Sequence, residues 1–115
     1  MSDDVVLPSL SVTVAATDDR VVIAVKGEID IATVEKLDQA LAAIDILRCR
    51  TVVVDLAGVS FIDSTGLRAL LVGRQALSRH DIRLVVCNPQ PQARRLFHIA
   101  LKGEPLAEVP SPLLP

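Results

Sequence analysis

Residues 51–67 read TVVVDLAGVSFIDSTGL, and this stretch decides the fold. Thr51 to Leu56 is a short apolar run, as expected of a strand buried on both faces. Ala57 to Asp63 reads as a loop. Ser64 to Arg79 reads as a helix, with Leu67, Leu70, Leu71 and Leu77 on one side and Ala69, Val72 and Ala76 on another. That helix is therefore apolar on more than one face. A strand handing over to a helix is half of a parallel crossover unit, and the flanking sequence supplies the rest.

On the N-terminal side, Val21 to Lys26 (VVIAVK) is rich in β-branched residues and reads as a strand. Leu10 to Ala16 alternates in part and reads as another. Thr17-Asp18-Asp19-Arg20 between them is a turn signal, so the two form a hairpin. Gly27-Glu28-Ile29-Asp30 breaks the second strand. Val34, Leu37, Leu41 and Ile44 then recur at helical spacing, with Asp30 or Thr33 as the cap. On the C-terminal side, Ile82 to Cys87 (IRLVVC) is a fourth strand. Asn88-Pro89-Gln90-Pro91 is a loop, with Pro91 suited to the first position of a third helix. Ala93, Leu96, Phe97 and Ala100 mark that helix, which ends near Gly103. Leu106 to Val109 reads as a last, short edge strand.

The order ββαβαβα(β) specifies an α/β fold: a mixed sheet of four to five strands with helices mainly on one face. Residues 1–9 read as a flexible leader, 10–109 as one domain and 110–115 as an irregular, proline-rich tail.

Of the 115 residues, half are hydrophobic, but only two are aromatic, both Phe. The core is thus aliphatic, and base stacking on single-stranded nucleic acid has no platform. The net charge of −2 gives no basic footprint for DNA or RNA. Cys49 and Cys87 stand 38 residues apart without a metal-ligand pattern; Cys87 ends an apolar run and reads as a small buried hydrophobe. No cofactor or metal is expected. Ser2, Asp3 and Asp4 are acidic where a secretory leader is basic. No apolar run approaches a membrane span. A reducing cytoplasm is the expected setting.

Ser64 stands where chain enters helix, among amide groups that lack intrahelical partners. Two readings are open. Ser64 is a plain N-cap, or its hydroxyl is modified at an anion-tolerant helix end. Gly66, without a side chain, permits close approach of another backbone or a phosphate. Glu28, Asp30, Asp55 and Asp63 fall where parallel strands end. They read either as caps and solvated loop residues or as an acidic rim around Ser64. The stripe through Ala69, Val72 and Ala76, flanked by Arg68 and Gln75, reads as a partner surface or as a second core-facing side.

Three segments carry a resemblance: Gly27-Glu28-Ile29-Asp30, then Val52-Val53-Val54-Asp55-Leu56, then Phe61-Ile62-Asp63-Ser64-Thr65-Gly66-Leu67. Together they resemble the STAS domain, and in particular the stand-alone bacterial anti-sigma factor antagonists. The likeness runs from about residue 10 to residue 109, and Asn88-Pro89 after a strand adds to it. The resemblance implies a STAS-like fold and a non-enzymatic role. Such a protein binds an anti-sigma factor that is also a serine kinase, and so frees a sigma factor. The kinase phosphorylates the residue matching Ser64, the phosphorylated form dissociates, and a phosphatase restores it. Asp30 and Asp63 match acidic positions of the family's site, and Thr65 a position often held by a second Ser or Thr. Near the end the family often has Thr-Gly-Leu, where this chain has Ala100-Leu101-Lys102-Gly103. Other roles are weaker on these residues. A receiver domain would use Asp55 but begins βαβ rather than ββα. A serine hydrolase would need a base near Ser64, yet His80 lies roughly 24 Å along the same helix. A STAS module of a stress-signalling complex keeps the fold and changes the partner.

Overall fold

The computed structural model describes residues 9–112; the expected leader falls almost entirely outside them. The described residues start with a tight hairpin, β1 (Leu10–Thr17) and β2 (Arg20–Ile29), closed by Asp18-Asp19, with Asp18 at φ 52°. An Asp tolerates that left-handed backbone better than most residues. Then come α1 (Val34–Ala42), β3 (Thr51–Ile62), α2 (Ser64–Ser78), β4 (Arg83–Cys87) and α3 (Pro91–Ala100). The sheet order is β1-β2-β3-β4, with β1 antiparallel to β2 and the other pairs parallel. This is the mixed sheet expected from the sequence. The fifth strand reduces to a single parallel bridge, Val86 to Glu108.

Period-two alternation sorts the sheet residues. Ile23, Val25, Val52, Val54, Leu56, Leu84 and Val86 face one way and join Leu37 and Leu41 of α1 with Leu67, Leu70 and Leu77 of α2 in the main core. Val53, Val85 and Cys87 face the other way and form a small second cluster with Val22 and Val109. The middle of β3 is therefore buried on both faces, which is why VVV carries no polar alternation.

Two boundaries differ from expectation, with one cause. Gly27-Glu28-Ile29 does not break β2, and Ala57 to Ile62 is strand rather than loop. Between the pairs Ala24–Asp55 and Lys26–Gly58, and again between Gly27–Val59 and Glu28–Phe61, β3 gains one residue on β2. Each bulge shifts the side-chain alternation by one, so the period-two signal is lost although pairing continues. Gly27 takes φ +115°, where a Cβ would stand 2.5 Å from the Ser9 carbonyl oxygen. As a result Asp55 lies in mid-strand, not at the sheet's carboxyl edge.

Candidate functional site

Parallel pairing brings the ends of β2 and β3 side by side, with Ile29 opposite Ile62. The Asp63 amide donates to the Ile29 carbonyl (3.1 Å), which fixes where the chain leaves the sheet. Asp63 is extended (φ −101°, ψ −173°), and its carboxylate accepts the Gly66 amide at 3.0 Å. Asp63 is thus the N-cap of α2, and the reading of Ser64 as a plain cap is corrected. Ser64 is the first helical residue, exposed, and among the described residues its hydroxyl bonds to nothing. The Asp63 carboxylate and carbonyl take the Gly66 and Leu67 amides. The amides of Ser64 and Thr65 are left, by geometry, without intrahelical partners.

Gly66 acts differently from expectation. It is buried, and a Cβ there would meet Ile29 Cγ2 at 2.6 Å and Ile62 Cγ1 at 2.7 Å. Its missing side chain admits these two isoleucines rather than a phosphate, and so lets α2 start hard against the sheet. Glu28 is exposed beside Phe61 in register, and Asp30 is half-buried one residue beyond Ile29. Asp30 accepts the Ala32 amide (2.9 Å). The buried Thr33 hydroxyl donates to the Glu28 carbonyl (2.7 Å) and accepts from the Asp30 amide (3.0 Å). Thr33 occupies the N-cap position of α1 without its side chain capping a helix amide; it braces the rim instead. Glu28, Asp30, Asp63, Ser64 and Thr65 thus gather at one sheet edge. Asp55 does not join them: its carboxylate accepts the Ala57 amide (3.0 Å) and the Asn88 side-chain amide (3.3 Å).

Ser64, Arg68, Val72 and Gln75 succeed one another at spacings of four, four and three, so they share a face of α2. All four are exposed, Val72 at 55%. Ala69 is buried in the core, so the expected stripe of Ala69, Val72 and Ala76 is split between core and surface. A groove of about 720 Å3 separates α1 from α2, and Thr65, Arg68 and Val72 border it with Val34 and Leu41. Ile31 (81% exposed) and Phe61 (39%) place two large apolar side chains beside the acidic rim.

Sequence reasoning missed the support beneath Ser64. Past Asp55, β3 outruns β4, and the following segment takes over with side chains. Asn88 reaches Asp55, Gln90 donates to the Ala57 carbonyl (2.7 Å), and Gln92 grips Ile62 at both ends. The Ile62 amide donates to Gln92 Oε1 (2.9 Å), and Gln92 Nε2 donates to the Ile62 carbonyl (2.8 Å). The signal was present as amide side chains at every second position, 88, 90 and 92, alternating with prolines that have no N–H to give.

A family model for the STAS domain matches residues 11–102. The chain belongs to the STAS domain family. An anti-sigma-B factor antagonist of Staphylococcus epidermidis is 33% identical over 91 residues, covering 79% of this chain and 84% of its own. The crystal structure of an anti-sigma factor antagonist from Mycobacterium paratuberculosis superposes with a TM-score of 0.71 at 31% identity, covering 78% of this chain and 76% of that one. The anti-sigma factor antagonist SpoIIAA in its unphosphorylated form gives a TM-score of 0.71 at 25% identity, over 86% and 88% of the two chains. SpoIIAA in the phosphorylated form gives 0.66 at 24% identity and speaks for the fold alone. In this STAS domain no helix of the described residues is long and apolar enough to cross a membrane.

Proposed function

We propose that this STAS domain is an anti-sigma factor antagonist whose grip on its partner is switched off by phosphorylation of Ser64. The reading rests first on one observation: Asp63 takes the cap, so the Ser64 hydroxyl is exposed, and unbonded among the described residues, at the first position of α2. The names of the relatives supply the partner, an anti-sigma factor, and the neighbour SpoIIAA is described in an unphosphorylated form. The partner doubles as the serine kinase, and the setting is the cytoplasm, where sigma factors work.

In the modification step Ser64 Oγ attacks the γ-phosphorus of ATP and loses its proton. The bond to the β-phosphate oxygen breaks, and ADP leaves. A phosphatase reverses this with water, releasing inorganic phosphate. The phosphoserine carries about −1.5 to −2 charges at neutral pH. On its own helix it faces the amides of Ser64 and Thr65 and the favourable end of the dipole, worth roughly 0.3–1 kcal/mol, so the fold tolerates it. Against a docked partner it adds charge to a rim that already holds Glu28, Asp30 and Asp63. Like-charge juxtaposition at an interface costs several kcal/mol, and each ~1.4 kcal/mol is tenfold in affinity. The docking face comprises Ser64, Arg68, Val72 and Gln75 on α2 with the apolar Ile31 and Phe61 beside them. The partner's release thus follows without unfolding.

The test is reconstitution with the anti-sigma kinase and ATP. Site-resolved mass spectrometry is expected to find phosphate on Ser64, and Ser64→Asp to lose the partner by tenfold or more while remaining folded. Ser64→Ala keeps binding and resists the kinase. Phosphate on Thr65 with Ser64 bare, or undiminished binding by Ser64→Asp, overturns the proposal.

A further inference from the structure

Among the described residues the sheet has one open side. There β1 lies at the end of the strand order and pairs only with β2, without a bulge, over eight residues. From Ser11 onward every residue but Val12 is exposed. Its sequence, LSVTVAAT, has no charge, no proline and no glycine. Sheet edges are ordinarily protected by such features, because their free N–H and C=O groups are a template for another strand.

Register says which groups are free. A two-residue loop makes Thr17–Arg20 the first hydrogen-bonded pair of the hairpin, and bonded and non-bonded pairs alternate from there. Ser11, Thr13, Ala15 and Thr17 therefore spend their backbone groups on β2. Leu10, Val12, Val14 and Ala16 point theirs outward. The Leu10 carbonyl accepts from the Lys36 ammonium at 2.9 Å. Among the described residues nothing bonds the outward groups of Val12, Val14 and Ala16. The same three side chains lie on the α1 side of the sheet, where Val12 and Val14 border a groove of about 690 Å3 with Lys36, Gln39 and Ala40.

We infer that two copies of this chain pair through β1, antiparallel about a twofold axis at Val14, into one continuous sheet. In that register Val14 faces its own counterpart, Val12 faces Ala16 of the partner subunit, and Ala16 faces Val12 of the partner subunit. Each facing pair exchanges two hydrogen bonds. A strand without charge meets its copy without repulsion, and β-branched side chains directly opposite each other are favourable cross-strand pairs. The ends carry the choice of occupant. Leu10, which holds Lys36, comes opposite Asp18 of the partner subunit at the hairpin turn, so antiparallel pairing sets cation against carboxylate at both ends. The interface is symmetric and closed. It is built on β1, with β2 between it and β3, the strand that leads into Ser64.

Sedimentation equilibrium from about 1 µM to about 1 mM tests it, with amide hydrogen exchange read by NMR. The weight-average mass is expected to climb from monomer to dimer. Protection at Val12, Val14 and Ala16 rises with it, while Ser11, Thr13 and Ala15 are protected at every concentration. Val14→Pro removes only an outward donor, a position an edge strand tolerates, and Val14→Lys sets like charges face to face. Both are expected to leave a folded monomer, with the Thr13 and Ala15 amides still protected. Asp18→Asn, which suits the left-handed backbone there, weakens the dimer several-fold and reduces its salt dependence. A monomer throughout the range overturns the inference. So does a dimer that survives both Val14 variants. Protection of the alternate amides that ignores concentration also overturns it, and assigns the edge to the chain's own residues 1–8.

Discussion

Replacing Asp63 by alanine removes the carboxylate that accepts the Gly66 amide at 3.0 Å. Loss of an N-cap costs typically ~1 kcal/mol, and loss of a negative charge at a helix N-terminus adds roughly 0.3–1 kcal/mol. The sum is about 1.5–2 kcal/mol. At about 2.1 cal/mol/K per residue over 115 residues, each kcal/mol moves the thermal midpoint by about 4 °C. Asp63→Ala is therefore expected to melt about 6–8 °C lower. Asp63→Asn keeps an accepting oxygen and loses only the charge, a drop of about 2 °C. Ser64→Ala removes a hydroxyl that bonds to nothing among the described residues, so its midpoint stays within about 2 °C of wild type. Circular dichroism melts of the three variants at pH 7 decide the matter. If Ser64→Ala falls as far as Asp63→Ala, Ser64 is the cap and its hydroxyl is not standing free for a kinase.

Gln92→Leu leaves the Ile62 amide and carbonyl without partners; a loss of roughly 1–3 kcal/mol and faster hydrogen exchange at Ile62 are expected, and unchanged exchange there would refute the clamp. Val72→Glu puts a charge on an exposed position of α2, and is expected to weaken anti-sigma factor binding at least tenfold in a titration while moving the midpoint by less than about 2 °C. A large fall in midpoint would place Val72 in the core. Burial, and then the nearby Asp55 and Glu108, push the Cys87 thiol up to about 12. The folded state thus holds this proton where the unfolded chain releases it. The stability is fully present below about pH 9 and declines from there toward pH 12, at up to roughly 1.4 kcal/mol per unit. Cys87→Ala is expected to make the decline shallower, leaving the share due to Cys49, which burial also raises; an identical slope in denaturant titrations at pH 9–11 would refute it.

The element order was legible because each strand holds a stretch rich in β-branched residues, and each helix repeats apolar residues at its own period. What failed to show were features that depend on pairing. The bulges of β3 shift its alternation, so Ala57–Ile62 looks irregular although it is bonded along β2. Asp and Ser are equally good caps, and only a one-residue difference in where the helix starts gives the role to Asp63 and frees Ser64. Ala69 and Val72 look alike in sequence; the first falls beneath α2 and the second on its outside because helical position, not residue type, decides. The Asn88, Gln90 and Gln92 support was invisible because its targets lie about thirty residues earlier, and those of Gln90 and Gln92 are backbone atoms, which leave no trace in composition.

The proline-spaced amides beside β3 also set a limit on growth. They satisfy that strand's flank with side chains and offer no backbone N–H at Pro89 or Pro91 for a newcomer, while the chain at Ala107–Val109 bonds Val86 on the outer side of β4. Strand addition at Val86 is thereby blocked on that side. A filament needs two sticky ends per subunit, and the described residues provide one. Sheet-to-sheet association through the described residues stops at a pair, which protects a chain that is half hydrophobic from the open-ended stacking that its aliphatic strands would otherwise invite.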